Sequence, residues 1–215
     1  MALSLIVFDC DGVLLESVDI KSHAFARIGA EFGQEASDRL VAHHLMYGGV
    51  SRFKKFEWLY QEVLGRSISP EEQDALNEKF TKYAYEGVLH CQLVPGAQEV
   101  LDRWTSRVPM YVASGAPQDE LRQVLELRGL SPRFDGIYGS PPGKSALLRS
   151  IVEKTGVNPA DAIMIGDAST DQYAAEAAKT RFYGRGEYFR HSGYPWHKDL
   201  TRLNEYLEEL FVEEG

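Results

Sequence analysis

The stretch Leu3-Ser4-Leu5-Ile6-Val7-Phe8, followed at once by Asp9-Cys10-Asp11-Gly12, decides the fold of this chain. Its almost continuous apolar run predicts a strand that is buried on both faces, the kind found in parallel sheets. Two carboxylates placed two residues apart at the end of such a strand repel each other unless a cation or a shared proton compensates them. The stretch therefore predicts a parallel sheet with a charged site at its edge.

Similar apolar runs recur late in the chain and alternate with helical patterns. Further strands are predicted at residues 108–113, 136–138, 162–165 and 181–183. Helices are predicted at residues 119–128, 145–154 and 199–210. Strands and helices that alternate with short connections predict an α/β fold, in which helices cover a Rossmann-like parallel sheet core.

An all-helical block interrupts this alternation directly after the first strand. Residues from about 17 to 87 show helix-period patterns and no convincing strand. The segment Ser69-Pro70-Glu71-Glu72 carries a capping serine, a first-turn proline and a capping-box glutamate, so it predicts a helix start. We therefore expect an α/β core made of residues 1–15 and 90–215, with an inserted helical cap domain made of residues 16–89.

Composition argues against several classes of function. The chain has 215 residues, a net charge of −9 and a pI of about 5.2. Such an acidic chain is expected to bind neither nucleic acid nor an anionic membrane, since both need a basic face. The two cysteines, Cys10 and Cys91, are too few for a disulfide framework and predict a reducing, cytoplasmic compartment. No stretch has the length and apolarity of a signal peptide or a membrane span.

Polar residues follow the predicted strands where active sites of open α/β sheets lie, beyond the carboxyl ends. They are Asp9, Asp11, Ser114, Gly115, Lys144, Asp167 and Asp171. Taken singly, Asp171 and Ser114 each suit a helix cap. Taken together, Asp9, Asp11 and Asp167 beside a lysine are better explained as a Mg²⁺ site, because Mg²⁺ prefers a few carboxylate oxygens with waters and substrate phosphate.

A carboxylate at such a site can attack a phosphoryl group and form an aspartyl-phosphate that water later hydrolyses. The leaving alkoxide needs a proton, which a second carboxyl can donate before it activates the water. The pair Asp9 and Asp11 fits this division of work, with one aspartate for attack and one for acid/base catalysis.

Four motifs, in this order, resemble those of the haloacid dehalogenase superfamily. Residues 8–14 (FDCDGVL) are similar to its first motif and residues 112–115 (VASG) to its second. Lys144 matches the third-motif lysine, and residues 166–175 (GDASTDQYAA) are similar to the fourth motif. The helical insertion lies where that superfamily places a small helical cap. The resemblance covers nearly the whole chain.

The resemblance implies a role for each matched residue. Asp9 would be the nucleophile and Asp11 the general acid/base, and Ser114, Gly115 and Lys144 would bind the transferring phosphate at a helix N-terminus. The original dehalogenases keep only the first aspartate of the pair, so the presence of Asp11 points to phosphoryl transfer.

The resemblance also implies Mg²⁺ as the cofactor. The metal would be held by the side chain of Asp9, the backbone carbonyl of Asp11 and the side chain of Asp167. Asp171 would position a water of the metal or Lys144.

Within the superfamily, the chain resembles the branch that contains β-phosphoglucomutase and phosphoglycolate-type phosphatases. The cap segment Gly49-Val50-Ser51-Arg52 is similar to a substrate-contacting loop of the mutase, in which the arginine holds a second anionic group. Arg52 equally suits a surface charge at a helix start. The mutase has a gating histidine where this chain has Lys21, and His23 is out of register. We therefore expect a phosphatase that acts on a small phosphorylated metabolite, with a phosphosugar mutase as the alternative.

Basic residues of the cap are candidates for contacting an anionic group of the substrate. They are Lys21, Arg52, Lys54 and Lys55. Lys54 and Lys55 are expected to be solvated, because Phe53 and Phe56 must face the core of the cap. A solvated helix face is also the ordinary place for Lys21. The neighbouring histidines at 43 and 44 lack the spacing of a metal site and are expected to be surface or core residues.

Other classes of protein share parts of this pattern. A receiver-like regulator has a phosphorylated strand-end aspartate, but its acidic pair and phospho-acceptor lie on different strands. A non-catalytic phosphate-binding protein on this fold would be expected to lose Asp11 or Lys144. The stretch GSPPGKS at 139–145 resembles a P-loop, yet it is one residue short and its two prolines remove N–H groups that would cradle phosphate. A monomer is expected, because the cap must open and close over the site.

Overall fold

The computed structural model describes residues 3–211, and its centre is a parallel sheet. The strands are β1 (Leu5–Phe8), β2 (Met110–Pro117), β3 (Gly136–Ser140), β4 (Ala162–Gly166), β5 (Arg181–Arg185) and β6 (Trp196–His197). Their order across the sheet is β3-β2-β1-β4-β5-β6, and every neighbouring pair is parallel. The predicted α/β fold with a Rossmann-like parallel core is confirmed.

Helices cover both faces of this sheet. The α-helices of residues 3–211 are α1 (Val18–Ala30), α2 (Gln34–Met46), α3 (Arg52–Trp58), α4 (Pro70–His90), α5 (Ala97–Trp104), α6 (Gln118–Leu127), α7 (Lys144–Thr155), α8 (Ser169–Ala178) and α9 (Leu203–Phe211). The helices that cover the sheet are α5 to α9, while α1 to α4 precede them in the chain. Leu5 and Val7 of β1 pack in the same cluster as α7 and α8, while Ile6 and Phe8 join the cluster that contains α5, α6 and α9. All four side chains are fully buried, which explains why the apolar run is continuous.

Four helices, α1 to α4, lie between β1 and α5 in the chain. α1 packs against both α2 and α4. An aromatic cluster forms their interior, with ring centroids of Phe25 and Phe80 separated by 4.6 Å and those of Phe25 and Phe56 by 6.1 Å. The domain limits at residues 16–89 stay a prediction, and residues 1–2 and 212–215 of the predicted core lie outside the described residues. Between residues 3 and 211, no helix combines the length and apolarity needed to cross a membrane.

Strand β2 differs from its predicted range of 108–113. It begins at Met110 and continues to Pro117, because the register shifts after Ala113 and Pro117 then pairs with Ser140 of β3. Apolar patterning could not predict this extension, since the added residues are a serine, a glycine, an alanine and a proline, which do not continue the apolar run.

The elements predicted from the sequence include neither α5 nor β6. Strand β6 lies at the sheet edge beside β5. It has two residues, which are too few to show an alternating pattern. Helix α5 follows Gly96, whose φ of +88° is left-handed, and it buries Ala97, Val100, Leu101 and Trp104. These four residues occupy positions 1, 4, 5 and 8 of the helix, which is the periodicity of one helical face and is visible in the sequence.

The cap contacts the core close to the carboxyl ends of the strands. The Thr170 hydroxyl of α8 donates to the carbonyl of Gly48 at 2.6 Å. Gly49 has a φ of +76°, and a Cβ there would lie 2.2 Å from Oγ1 of Thr170, so that close approach requires glycine. Across the cap, Glu120 of α6 accepts from Arg52 at 2.5 Å and from Thr81 at 3.2 Å. These contacts hold the cap over the end of β1.

The capping box of α4 gives a test of the cap's stability. The Ser69 hydroxyl accepts from the N–H of Glu72 at 3.2 Å, and the Glu72 carboxylate accepts from the N–H of Ser69 at 3.0 Å. Ser69→Ala should lower the free energy of unfolding by about 1 kcal/mol, because it leaves a helix N–H without an acceptor. Urea unfolding followed by circular dichroism measures this change. Ser51→Ala is the matched control, since Ser51 precedes α3 without a side-chain capping bond; equal losses in the two variants would contradict the prediction.

Candidate active site

Asp9 is the first residue after β1 and lies at the bottom of a cleft between cap and core. Its N–H donates to the carbonyl of Ile165 at 2.9 Å, which continues the ladder to β4, and its side chain is buried. Gly12 then turns the chain with a φ of +75°. A Cβ at Gly12 would lie 2.1 Å from Oδ2 of Asp167, so the turn brings the ends of β1 and β4 together only if residue 12 is glycine.

Lys144 joins two of the predicted aspartates. It is the first residue of α7, and its buried Nζ lies 2.8 Å from Oδ2 of Asp9 and 2.5 Å from Oδ1 of Asp171. The other oxygen of Asp171 accepts from the N–H of Ala168 at 3.0 Å, at the start of α8. Burial lowers the pKa of Lys144, but the charges of Asp171 and Asp9 raise it more, so the ammonium stays protonated.

The cluster has more negative than positive charge. Oxygens of Asp9, Asp167 and Asp171 lie within 4.8 Å of one another. Burial raises the pKa of Asp9 to about 7 although Lys144 lowers it, and enclosure together with the charge of Asp9 raises the pKa of Asp167 well above its usual range. Three carboxylates facing one ammonium fit a divalent cation with oxygen ligands, such as Mg²⁺. Because Asp171 is engaged by Lys144 and Ala168, the side chains best placed to bind such a cation are Asp9 and Asp167.

Asp11 points away from this cluster and toward the cap. Its carboxylate accepts from the Ser17 hydroxyl at 2.6 Å and from Nζ of Lys21 at 2.5 Å. Burial raises the pKa of Asp11. The charge and hydrogen bond of Lys21, together with the hydrogen bond from Ser17, lower this pKa by more, so the net shift is downward. The solvated position considered for Lys21 is wrong: its side chain is 12% exposed and bridges α1 to the end of β1.

Ser114 and Gly115, at the end of β2, lie beside Asp9 along the wall of the cavity. The buried Ser114 oxygen accepts from the N–H of Ala116 at 3.2 Å, which leaves its hydroxyl proton available to a ligand. A Cβ on Gly115 would lie 2.1 Å from the carbonyl oxygen of Gly49, so glycine allows the cap backbone to reach this strand end.

Arg52 is buried, and the surface position considered for it is wrong. The residue is 4% exposed, and its guanidinium contacts Glu120 at 2.5 Å and Thr81 at 2.9 Å. The guanidinium also stacks over the ring of Phe80, 4.3 Å from the ring centroid. Arg52 lines the cavity, but acceptors of the protein already satisfy its charge.

Lys54 and Lys55 have opposite environments. Lys54 is solvated as predicted, with its side chain 69% exposed and paired with Glu57. The same prediction is wrong for Lys55, which is 2% exposed and lies 2.9 Å from Nδ1 of the buried His44. Its burial follows from helical spacing, because Lys55 shares the inward face of α3 with Arg52, three residues before it.

A cavity of about 180 Å³ is lined by Asp9, Asp11 and Asp167 of the core and by the basic cap residues Lys21, Arg52 and Lys55. Core carboxylates form one side of it and basic cap residues the other, while apolar cap side chains fill the walls between them: Phe25, Leu45, Met46, Val50 and Phe80. From the P-loop-like stretch 139–145, Lys144 is the residue that reaches the carboxylates. Cys10 is buried, and burial raises the pKa of its thiol, which suits a small residue that fills the core better than a nucleophile.

Comparisons with known proteins agree with this geometry. The family model of haloacid dehalogenase-like hydrolases matches residues 3–179. Phosphoglycolate phosphatase 1 of Pseudomonas aeruginosa is 26% identical over 185 residues, which are 82% of this chain and 67% of that protein. A phosphorylated carbohydrates phosphatase of Thermotoga maritima is 26% identical over 196 residues, 85% of each chain.

Solved structures share the fold. The β-phosphoglucomutase of Clostridium difficile superposes with a TM-score of 0.79 at 21% identity, covering 99% of this chain and 98% of that one. CbbY of Rhodobacter sphaeroides, solved in complex with phosphate, has a TM-score of 0.72 at 18% identity, with 94% and 96% covered. Four ordered motifs, a parallel sheet whose strand ends carry them and a family model that spans most of the sequence agree, and this chain belongs to the haloacid dehalogenase-like hydrolase family.

Proposed function

We propose that this chain is a Mg²⁺-dependent phosphatase that hydrolyses a small phosphorylated metabolite through an aspartyl-phosphate on Asp9. The observation that carries the proposal is the contact of Asp9 with Lys144 at a cavity between cap and core, whose lining also includes Asp11. The names of the relatives, phosphoglycolate phosphatase and phosphorylated carbohydrates phosphatase, support a small phosphate ester as substrate.

In the first half-reaction, an oxygen of Asp9 attacks the phosphorus in line with the leaving alkoxide. Lys144 neutralises the nucleophile before attack and the phosphoryl oxygens during it. The Ser114 hydroxyl and the Gly115 N–H supply further hydrogen bonds to those oxygens. Asp9 and Asp167, with the Asp11 carbonyl, would hold Mg²⁺, whose charge neutralises the developing negative charge on the phosphoryl group.

Asp11 transfers the protons in both half-reactions. It donates a proton to the leaving oxygen, and then its ionised form takes a proton from the water that hydrolyses the aspartyl-phosphate. In the present arrangement Lys21 and Ser17 stabilise the ionised form, which suits the second half-reaction. We infer that Lys21 positions Asp11, and that Asp11 leaves this ammonium when it serves as the acid.

The phosphatase is favoured over the mutase by the contact between Lys21 and Asp11. An ammonium favours the ionised form of the carboxylate that it contacts, whereas a histidine can exchange its proton near neutral pH. The solved mutase shares the fold at 21% identity, and that likeness carries no activity. A sugar-phosphate isomerisation assay therefore belongs beside every phosphate-release assay.

A panel of phosphorylated metabolites tests the proposal directly. Sugar phosphates and phosphorylated hydroxy acids should release inorganic phosphate with Mg²⁺, and excess EDTA should abolish release, because the excess negative charge of Asp9 and Asp167 is then uncompensated. Readdition of Mg²⁺ should restore the rate. Isomerisation without phosphate release would establish the mutase instead.

Asp9→Asn should reduce phosphate release by at least about a thousandfold, because the amide cannot form the covalent intermediate. Asp74→Asn is the control for charge, since Asp74 is an exposed residue of α4. Mass spectrometry of acid-quenched wild-type enzyme should find a phosphoryl group on Asp9. Near-normal turnover of Asp9→Asn would disprove the nucleophile assignment.

Asp11→Asn should separate the two half-reactions. With p-nitrophenyl phosphate, whose leaving group needs no proton, the variant should give a rapid burst of about one nitrophenolate per enzyme and then turn over slowly. With an alkyl phosphate the burst should be absent, and turnover should fall about 10²- to 10⁴-fold. Stopped-flow absorbance measures the burst. Normal steady-state rates with both substrates would exclude Asp11 as the acid/base.

A further inference from the structure

The basic side chains that line the cavity differ in how their charges are compensated. Among the described residues, Lys21, Arg52 and Lys55 are the lysines and arginines on this lining. Lys21 pairs with Asp11, and Arg52 pairs with Glu120. Lys55 has no carboxylate of residues 3–211 within 4 Å of its Nζ.

The ammonium of Lys55 lies close to one histidine and one aromatic ring. Its Nζ lies 2.9 Å from Nδ1 of His44 and 5.3 Å from the ring centroid of Phe25. Burial and the charge of Lys55 lower the pKa of His44 to about 3, so the ring is neutral and Nδ1 accepts a hydrogen bond from the ammonium. Its Nε2 is buried without a well-directed hydrogen bond to the described residues.

An ammonium in this position is energetically unfavourable without a ligand. Burial and the charge of Lys21 lower the pKa of Lys55 to about 7, and the weaker influence of the Asp11 charge does not offset them. A buried charge is ordinarily paired, because desolvation is costly otherwise. Methionine would fill the same space without that cost, so the presence of lysine points to a partner that arrives with the ligand.

We propose that Lys55, oriented by His44, binds a carboxylate of the substrate at the end opposite the phosphoryl group. This inference rests on the proposed function, which places the phosphoryl group against Asp9 and Lys144. The core end of the cavity then receives the phosphoryl group, and the cap end receives the carboxylate. The substrate class is a short phosphorylated hydroxy acid.

The donor set favours a carboxylate over a second phosphoryl group. One ammonium of +1 charge matches one carboxylate, whereas a phosphate dianion has three oxygens and is usually bound by several donors or by an arginine fork. The arginine at this end, Arg52, already donates to Glu120 and Thr81. A cavity of about 180 Å³ also favours a short ligand.

A matched pair of substrates tests the proposal. The probes are 2-phosphoglycolate and 2-hydroxyethyl phosphate, in which a neutral hydroxymethyl group replaces the carboxylate. Lys55→Met should raise KM for phosphoglycolate by at least about tenfold, because a charge-assisted hydrogen bond is lost. The kcat/KM for 2-hydroxyethyl phosphate should stay within about twofold, because that substrate offers no carboxylate. Lys54→Met is the control and should change neither value, since Lys54 is exposed.

Thermal unfolding separates recognition from a structural role. Lys55→Met should unfold at the same temperature as wild type or higher, because an unpaired buried ammonium gives way to an apolar side chain of similar volume. Equal loss of activity toward both probes, or a lowered unfolding temperature with no change in substrate preference, would overturn the assignment of Lys55.

A failure of the proposed function can be told apart from a failure of this inference. If wild-type enzyme released phosphate from no substrate, the phosphatase proposal would fail. Calorimetric titration of phosphoglycolate into wild type and Lys55→Met would then decide the inference. Binding at least about tenfold weaker in the variant would support it, and equal affinity or no binding to either protein would overturn it.

Discussion

The buried ammonium of Lys144 holds the catalytic edge of this protein together. It contacts Asp9 after β1 and Asp171 at the start of α8, and it is itself the first residue of α7. Without it, three carboxylates, two of them buried, would face one another uncompensated, which burial makes costly. The order of the sheet makes this contact possible, because β1 is central and lies between β2 and β4. The chemistry therefore depends on one cation that bridges segments far apart in sequence.

The core half of the site could be predicted from sequence because parallel topology largely determines where the residues that follow each strand lie. Once the apolar runs are assigned to neighbouring parallel strands, their carboxyl ends must meet at one edge. Asp9, Ser114 and Asp167 each follow such a run directly, so their approximate positions follow from the strand assignment. The spatial position of Lys144 could not be obtained from its weak preceding strand, and it was identified through the resemblance of the ordered motifs.

The cap half was harder to predict, because its side chains are placed by helix packing and not by strand ends. The prediction that Lys55 is solvated, which assigns Phe53 and Phe56 to the inward face of α3, is wrong. The inward face instead holds Arg52, Lys55 and Phe56, while Phe53 is half-buried. Spacing of three and four residues was visible in the sequence. Two cations buried on one helix face are energetically unfavourable unless carboxylates compensate them. For Arg52 that carboxylate is Glu120 of α6, which is distant in sequence, so the pattern around α3 does not reveal it.

Cap and core thus have complementary charges, and the closed arrangement determines which cations remain for a ligand. The same approach that brings Arg52 to Glu120 carries Lys55, one turn along α3, to the cavity wall. Recognition of the far end of a substrate and enclosure of the reacting end therefore depend on one rigid helix. A substrate that supplies a negative charge to Lys55 stabilises the closed cap, whereas one that leaves the ammonium unpaired favours opening. Under the proposed mechanism, selectivity then arises from the free energy of closure, which only the matching substrate lowers.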